Sequence, residues 1–248
     1  MFLIGDIGNT EVKIVLFNKK NIILKKILLK TDKINENYIS KKIKFNKKLM
    51  NGIEKILFSS VVPSVFFKFK YFFKRKFKKK CYELKDLKLN KIIKVKVNKK
   101  QIGSDRLANS LAVINKRKNF IIVDFGTATT FDVVVKDKYL GGVIAPGVNL
   151  SLKTLISKAS LIPVVNLSRI SKIIGTNTSS AVKSGFYWGY AGLIDNVIKL
   201  IIKQTNKTFK IILTGGLAHL YKNTIKGKIE VKKDLTIKGL LKVVKNLK

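Results

Sequence analysis

Apolar positions along this chain fall into short runs broken by polar turns. Residues 2–7, 12–17 and 22–29 are rich in Ile, Leu, Val and Phe, and segments carrying Gly, Asn and Lys separate them. That pattern predicts three successive β-strands. Residues 35–49 are polar and helix-compatible, residues 56–60 return to a strand pattern, and a basic helix is expected after Pro63. Residues 92–97 suit another strand. A helix is expected over 107–116, opened by Ser104-Asp105, whose short polar side chains suit a helix N-terminus.

The pattern then starts again. Phe120-Ile121-Ile122-Val123-Asp124-Phe125-Gly126-Thr127 parallels Phe2-Leu3-Ile4-Gly5-Asp6-Ile7-Gly8-Asn9. Each apolar strand ends in Asp-x-Gly-Asn/Thr, and each is followed by a second β-rich run, over 12–17 and 130–135. Chance can produce two such strand–turn–strand units, but the matched Asp and Gly point to an internal duplication. The boundary falls near Lys118-Asn119 and divides the chain into domains 1–118 and 119–248. Further on come a strand over 139–145, a Pro146-Gly147 turn and helices over 149–157 and 178–202. A strand over 210–213 ends at Thr214-Gly215-Gly216. Strands followed by helices, twice over, indicate an α/β fold. If the halves are duplicates, each should open with a meander in a mixed sheet, and Asp6 and Asp124 should face one another across a cleft.

Composition narrows the class. The 248 residues are 46% hydrophobic and 27% charged, enough apolar surface for a real core. A lone cysteine, Cys81, neither staples a fold nor builds a zinc site, which suits a reducing compartment and a cytoplasmic location. The first residues lack a basic segment leading into an apolar run, so no signal peptide is expected. Lysines interrupt the greasiest stretches, so no membrane span is expected. The formal charge of +38 raises the question of a nucleic-acid partner. Only Arg75, Arg106, Arg117 and Arg169 supply the forked donors that base reading favours, and the lysines spread along the whole chain. Compositional drift toward Lys, Ile and Asn accounts for such a charge, and no specific nucleic acid is expected.

With only 14 acids present, their positions carry information. Asp6 ends the first strand, where a carboxylate can hold Mg²⁺ directly or through water. Gly8 permits a tight turn that presents backbone N–H groups to phosphate oxygens. Asn9 and Thr10 add short donors, and Lys13 can bring positive charge near the β- and γ-phosphates. An ordinary hairpin turn uses the same residues, so the second copy matters. There Asp124-Phe125-Gly126-Thr127-Ala128-Thr129-Thr130 repeats the logic with hydroxyls. Thr214-Gly215-Gly216 permits close approach of a nucleotide to backbone, as well as serving as a plain connector. In Gly103-Ser104-Asp105-Arg106 a carboxylate at a helix start can take a proton from a substrate hydroxyl, and an arginine can hold an anion; a helix cap is the simpler alternative. His219, the lone histidine, is given no role.

Taken in order, these motifs resemble the type III pantothenate kinase family. The resemblance runs through Asp6-x-Gly8-Asn9-Thr10, Gly103-Ser104-Asp105-Arg106-Leu107-Ala108-Asn109 and Asp124-Phe125-Gly126-Thr127-Ala128-Thr129-Thr130-Phe131-Asp132. It continues through Gly141-Gly142-Val143-Ile144-Ala145-Pro146-Gly147, Gly175-Thr176-Asn177-Thr178 and Thr214-Gly215-Gly216. It implies two duplicated ribonuclease-H-like domains of the actin-like ATPase/sugar-kinase superfold, with mixed sheets flanked by helices. It also implies transfer of the ATP γ-phosphate to pantothenate, giving 4'-phosphopantothenate in the first step of coenzyme A synthesis. By the same likeness Asp6, Ile7, Gly8, Asn9, Thr10, Glu11, Val12, Lys13 and Thr127 bind ATP. Gly103, Ser104, Asp105, Arg106 and Thr178 contact pantothenate. Asp105 is the proton acceptor, Asp124 holds K⁺ or NH₄⁺, and the enzyme works as a homodimer. One departure stands out: the family often carries a Tyr ahead of the Gly-x-Asp-Arg motif, where this chain has Lys96. The alternatives are a non-catalytic Bvg accessory factor-like regulator, a nucleic-acid-binding relative, and a kinase for another hydroxy-acid.

Overall fold

A computed structural model describes residues 1–246 of the chain. The chain forms two compact units, residues 1–114 together with 234 onward, and residues 115–233.

The first unit is built on β1 (Phe2–Ile7), β2 (Glu11–Phe17), β3 (Ile23–Lys30), β4 (Lys55–Ser60) and β5 (Cys81–Glu83), in the order β3-β2-β1-β4-β5. β1, β2 and β3 form the expected antiparallel meander, and β4 and β5 add in parallel beyond β1. The expected helical stretch at 35–49 is two short helices, α1 (Glu36–Lys42) and α2 (Lys47–Asn51). Asn35 and Asn46 each cap one, accepting the backbone N–H of Tyr38 and Leu49 at 2.8 Å, so the second asparagine restarts the helix. Pro63 opens α3 (Pro63–Phe77), which buries Phe66, Phe69, Phe72 and Phe73 against the sheet. The Phe58 ring on β4 stacks on Phe69 at 5.4 Å and also lies over Gly5, where a Cβ would meet it at 2.0 Å. Cys81 is buried in this core, which pushes its thiol far up and leaves it unreactive.

Only Lys94–Val95 (β6) of the expected strand over 92–97 is extended. Ile93 alone is deeply buried there, while Lys96 and Val97 are exposed, so little apolar area holds a longer strand. α4 (Ser104–Val113) begins where expected.

The second unit repeats the topology of the first. β7 (Asn119–Phe125), β8 (Ala128–Val135) and β9 (Lys138–Pro146) form an antiparallel meander, and β10 (Lys210–Gly215) and β11 (Ile229–Val231) add in parallel beyond β7. α5 (Val148–Lys158) and the long α6 (Thr178–Thr205) follow the meander, and a single short turn, α7 (Ala218–Tyr221), follows β10. Tyr187, Ala191, Ile194, Ile198 and Ile201 of α6 join Ile121, Val123, Phe131 and Leu213 in one core. The repeated strand order bears out the duplicated α/β reading.

The last helix, α8 (Leu235–Asn246), is counted with the first unit, where it packs on α4. Thr236 donates its hydroxyl to Asn109 Oδ1 at 3.0 Å in a buried bond. Gly239 lies so close to α4 that a Cβ would sit 1.9 Å from the Ala108 carbonyl oxygen. Neither backbone can yield cheaply, so Gly239→Ala is expected to cost about 1–3 kcal/mol despite its better helix propensity. Thermal unfolding should register this as a midpoint lowered by roughly 2–4 °C per kcal/mol, and an unchanged midpoint would refute the close packing.

Candidate active site

In the first unit the parallel strands β1 and β4 end side by side at Ile7 and Ser60, and β5 ends at Glu83 opposite Phe58. Ligands of open α/β sheets gather beyond such carboxyl ends. Asp6 is half-buried there, next to Ser59 across the β1–β4 ladder and Lys13 across the β1–β2 ladder. The turn beyond it is closed by the Gly8 N–H donating to Glu11 O at 3.0 Å and by the Thr31 hydroxyl donating to Gly8 O at 2.8 Å. Asn9 and Thr10 are exposed at its tip.

Lys13 does not stand alone over this turn. Its ammonium donates to Asp234 Oδ1 at 2.8 Å, and Lys26 reaches Oδ2 of the same carboxylate at 3.2 Å. Burial alone pulls the Lys13 ammonium down, but the Asp234 bond and charge, with the charges of Asp6 and Glu11, raise it overall. Burial likewise pushes the Asp234 carboxyl up, yet the two lysines hold it below its usual range. Asp234, whose backbone takes a left-handed φ of 53° just before α8, had no place in the sequence reading. Its only local signal is an acid after Lys232-Lys233.

Asp105 occupies the first turn of α4. Its Oδ1 accepts the Arg106 backbone N–H at 2.8 Å. Burial pushes this carboxyl above its ordinary range, and the Arg106 N–H and guanidinium charge offset only part of that. Gly103 is required beside it, since a Cβ there would lie 2.5 Å from Asp105 Oδ1. The neighbouring Ser104 is buried and donates its hydroxyl to Glu83 Oε1 at 2.5 Å. Glu83, also absent from the sequence reading, accepts the Ser60 and Lys85 backbone N–H groups as well. Its burial raises its carboxyl above the usual range against these bonds. Thus the first unit links the end of β4, and through it the Asp6 strand, to the Gly103–Arg106 motif.

The second unit assembles its own cluster. Asp124, half-buried at the end of β7, pairs with Thr214 on β10 and with Thr130 on β8. The turn after it is one residue shorter than its counterpart, so the place opposite the aspartate that Lys13 fills in the first unit falls to Thr130. Gly215, at a φ of 87°, lies where a Cβ would be 2.6 Å from Asp124 Oδ1 and 2.5 Å from Phe125 O, and only glycine suits both demands. Gly216 donates its N–H to Phe125 O at 3.1 Å. On the other side Gly147 donates to Thr127 O at 3.1 Å, and a Cβ on it would meet that oxygen at 2.2 Å. Three motifs distant in sequence therefore close around one turn that leaves Thr127 exposed.

Thr178 is the exposed first residue of α6, set by a capping box in which Ser180 N–H donates to Asn177 Oδ1 at 2.9 Å and Asn177 N–H to Ser180 Oγ at 3.1 Å. Gly175 packs on the same turn, where a Cβ would lie 2.3 Å from the Ala181 nitrogen.

The donor chemistry fits a magnesium nucleotide. No group of three or more His, Cys, Asp or Glu that could hold a metal occurs among the described residues, and Mg²⁺ carried by phosphates needs only one or two carboxylates. Asp6 can supply one. The Ser59 hydroxyl, fully buried on the same face, finds no protein partner, as expected where a water or ion completes the site. Thr130 and Thr214, the ladder partners of Asp124, carry hydroxyl oxygens, a donor type a hard cation prefers.

Known proteins resemble this chain along its length. A family model described as type III pantothenate kinase matches residues 2–200. A type III pantothenate kinase of Pelagibacter ubique is 57% identical over 248 residues, covering all of both chains. One from Fusobacterium nucleatum is 32% identical and covers 97% of each. Among solved structures, a Campylobacter jejuni protein described as a Baf family transcriptional activator superposes with a TM-score of 0.64 at 21% identity, covering 99% of this chain and 98% of its own. The activator of 2-hydroxyisocaproyl-CoA dehydratase from Clostridium difficile, solved with bound ADPNP, superposes at 0.52 and 11% identity, over 100% of this chain and 98% of its own. The structural likenesses establish the actin-like ATPase/sugar-kinase fold, and with the sequence matches along the whole length the chain belongs to the type III pantothenate kinase family.

Proposed function

We propose that this chain transfers the γ-phosphoryl group of ATP to the terminal hydroxyl of pantothenate. The observation that carries the reading is Asp105, a half-buried carboxylate with one oxygen fixed by backbone, in a chain matched end to end by a curated pantothenate kinase. Asp105 Oδ2 takes the hydroxyl proton as the new P–O bond forms, late in a loose transition state. Arg106 holds the pantothenate carboxylate, and Gly103, Ser104 and Thr178 shape the rest of that site. The Asp6–Lys13 segment, including Ile7, Glu11 and Val12, grips the ATP phosphates, and Thr127 contacts the nucleotide. Mg²⁺, when bound through Asp6, neutralises phosphate charge. Asp124 holds a monovalent cation, K⁺ or NH₄⁺, which supplies positive charge beside the nucleotide.

The enzyme is read as a cytoplasmic homodimer. Leu161, Val164 and Ile174 of the second unit, 91%, 83% and 81% exposed, support a partner surface. No helix among the described residues is long and apolar enough to cross a membrane. The sequence matches favour the kinase over a regulator or a nucleic-acid binder, and any DNA binding should be sequence-blind and steeply salt-dependent.

The test is ATP-dependent phosphorylation of pantothenate and of other hydroxy-acids, in K⁺, NH₄⁺ and Na⁺ buffers. Pantothenate should be the preferred acceptor, with rates higher in K⁺ or NH₄⁺ than in Na⁺. Equal rates in Na⁺ alone would remove the cation role of Asp124, and turnover of another acid in preference would remove the substrate assignment.

A further inference from the structure

α4 begins without the usual help. Its cap residue is Gly103, which offers no side chain to the helix N-terminus. Ser104 is a good capping residue type, but its hydroxyl turns away to Glu83 Oε1 at 2.5 Å. Glu83 is engaged through both oxygens, by two distant segments and by its own following turn. Oε1 also accepts the N–H of Ser60, the last residue of β4, at 3.3 Å, and Oε2 accepts the N–H of Lys85 at 2.5 Å. One carboxylate therefore ties the strand neighbouring β1 to the first residue of α4.

We infer that Glu83 is a positioning residue for phosphoryl transfer, holding the Asp105 carboxylate and the Arg106 fork in register with the strand ends that carry the phosphate turn. The inference rests on the proposed role of Asp105. Hydrogen bonds to an ionised acceptor are stronger and more directional than neutral ones. A single such anchor at Ser104 sets the start of α4 immediately beside the base. Displacing a catalytic group by about 1 Å can cost ~10²-fold in rate, so loss of the anchor acts on turnover before it acts on folding. The chemistry does not need Glu83 to exchange a proton or touch either substrate.

Glu83→Ala and Ser104→Ala should each lower kcat/KM for pantothenate by ~10- to 100-fold, with the ATP KM changed less than ~3-fold. The double variant should be no worse than the poorer single variant, because both remove the same bond. Glu83→Gln, which retains an acceptor for Ser104 but sets an NH2 against the Lys85 N–H, should recover part of the activity. Hydrogen exchange over residues 103–111 reads the same link without turnover and should quicken in both alanine variants while α3 is unchanged. If the wild-type chain fails to phosphorylate pantothenate, the proposed function falls and the exchange data still judge the anchor. If the wild type is active but the two alanine effects multiply independently, or exchange over α4 is unaltered, Glu83 has no positioning role. Equal losses toward ATP and pantothenate, together with a lowered unfolding midpoint, would likewise reduce it to a structural acid.

Discussion

Asp105→Asn should lower kcat by at least ~10² while changing ATP affinity less than ~3-fold. A positioned general base contributes ~10²–10⁴ in rate, or roughly 3–5 kcal/mol of barrier. Asparagine keeps the size of the side chain and an oxygen for the Arg106 N–H that Oδ1 now accepts. It cannot take up the hydroxyl proton. Burial raises the Asp105 carboxyl in the folded chain, so the base is lost by protonation as pH falls through a value above the ordinary carboxylate range of about 4. The acid limb of kcat/KM should lie correspondingly high and disappear in the variant. The same shift means that ionised Asp105 destabilises the fold above the unfolded-state pKa, so the variant should unfold no earlier than the wild type. Arg106→Ala should instead raise the pantothenate KM most. Near-normal turnover by folded Asp105→Asn enzyme would reduce the residue to a helix-terminal acid.

Gly103→Ala should lose ~10- to 100-fold in kcat without unfolding the chain. The Gly103 backbone, at φ −62° and ψ 138°, is one that alanine adopts without strain. The obstacle is the Asp105 side chain, whose Oδ1 would lie 2.5 Å from the new Cβ, with Arg106 Cγ at 3.6 Å. A side-chain end can swing aside at little cost to folding, but here the group that swings is the proposed base. The unfolding midpoint should therefore stay within about 1 kcal/mol of wild type while turnover collapses. This is the reverse of Gly239→Ala, where backbone meets backbone and stability bears the loss. Wild-type turnover in Gly103→Ala would show that the Asp105 carboxylate need not sit where it does.

Much of the architecture was legible because it is local. The apolar runs over 2–7 and 120–125 form strands wherever they are buried, and their Asp-x-Gly endings form turns from their own residues. Asn177 and Ser180 specify the start of α6 by themselves. Ser104-Asp105 announced α4, and the repeated motif announced the repeated sheet. The family motifs could be read in order for the same reason, since each is a short segment with its own turn chemistry.

What the tertiary structure decided lies in pairings that no local pattern encodes. Asp234 meets Lys13 across 221 residues of sequence, and nothing near either one names the other. Glu83 carries no local signal in its basic stretch; the parallel ladder sets β5 beside β4 and turns its carboxylate onto Ser60 and Ser104. α8 is not among the elements expected from the sequence, and the close approach of Gly239 to Ala108 packs it on α4 in the first unit. Periodicity specifies which face of an element avoids water. Which other face covers it depends on shape and volume across the whole chain, and those become defined only when the packed core forms.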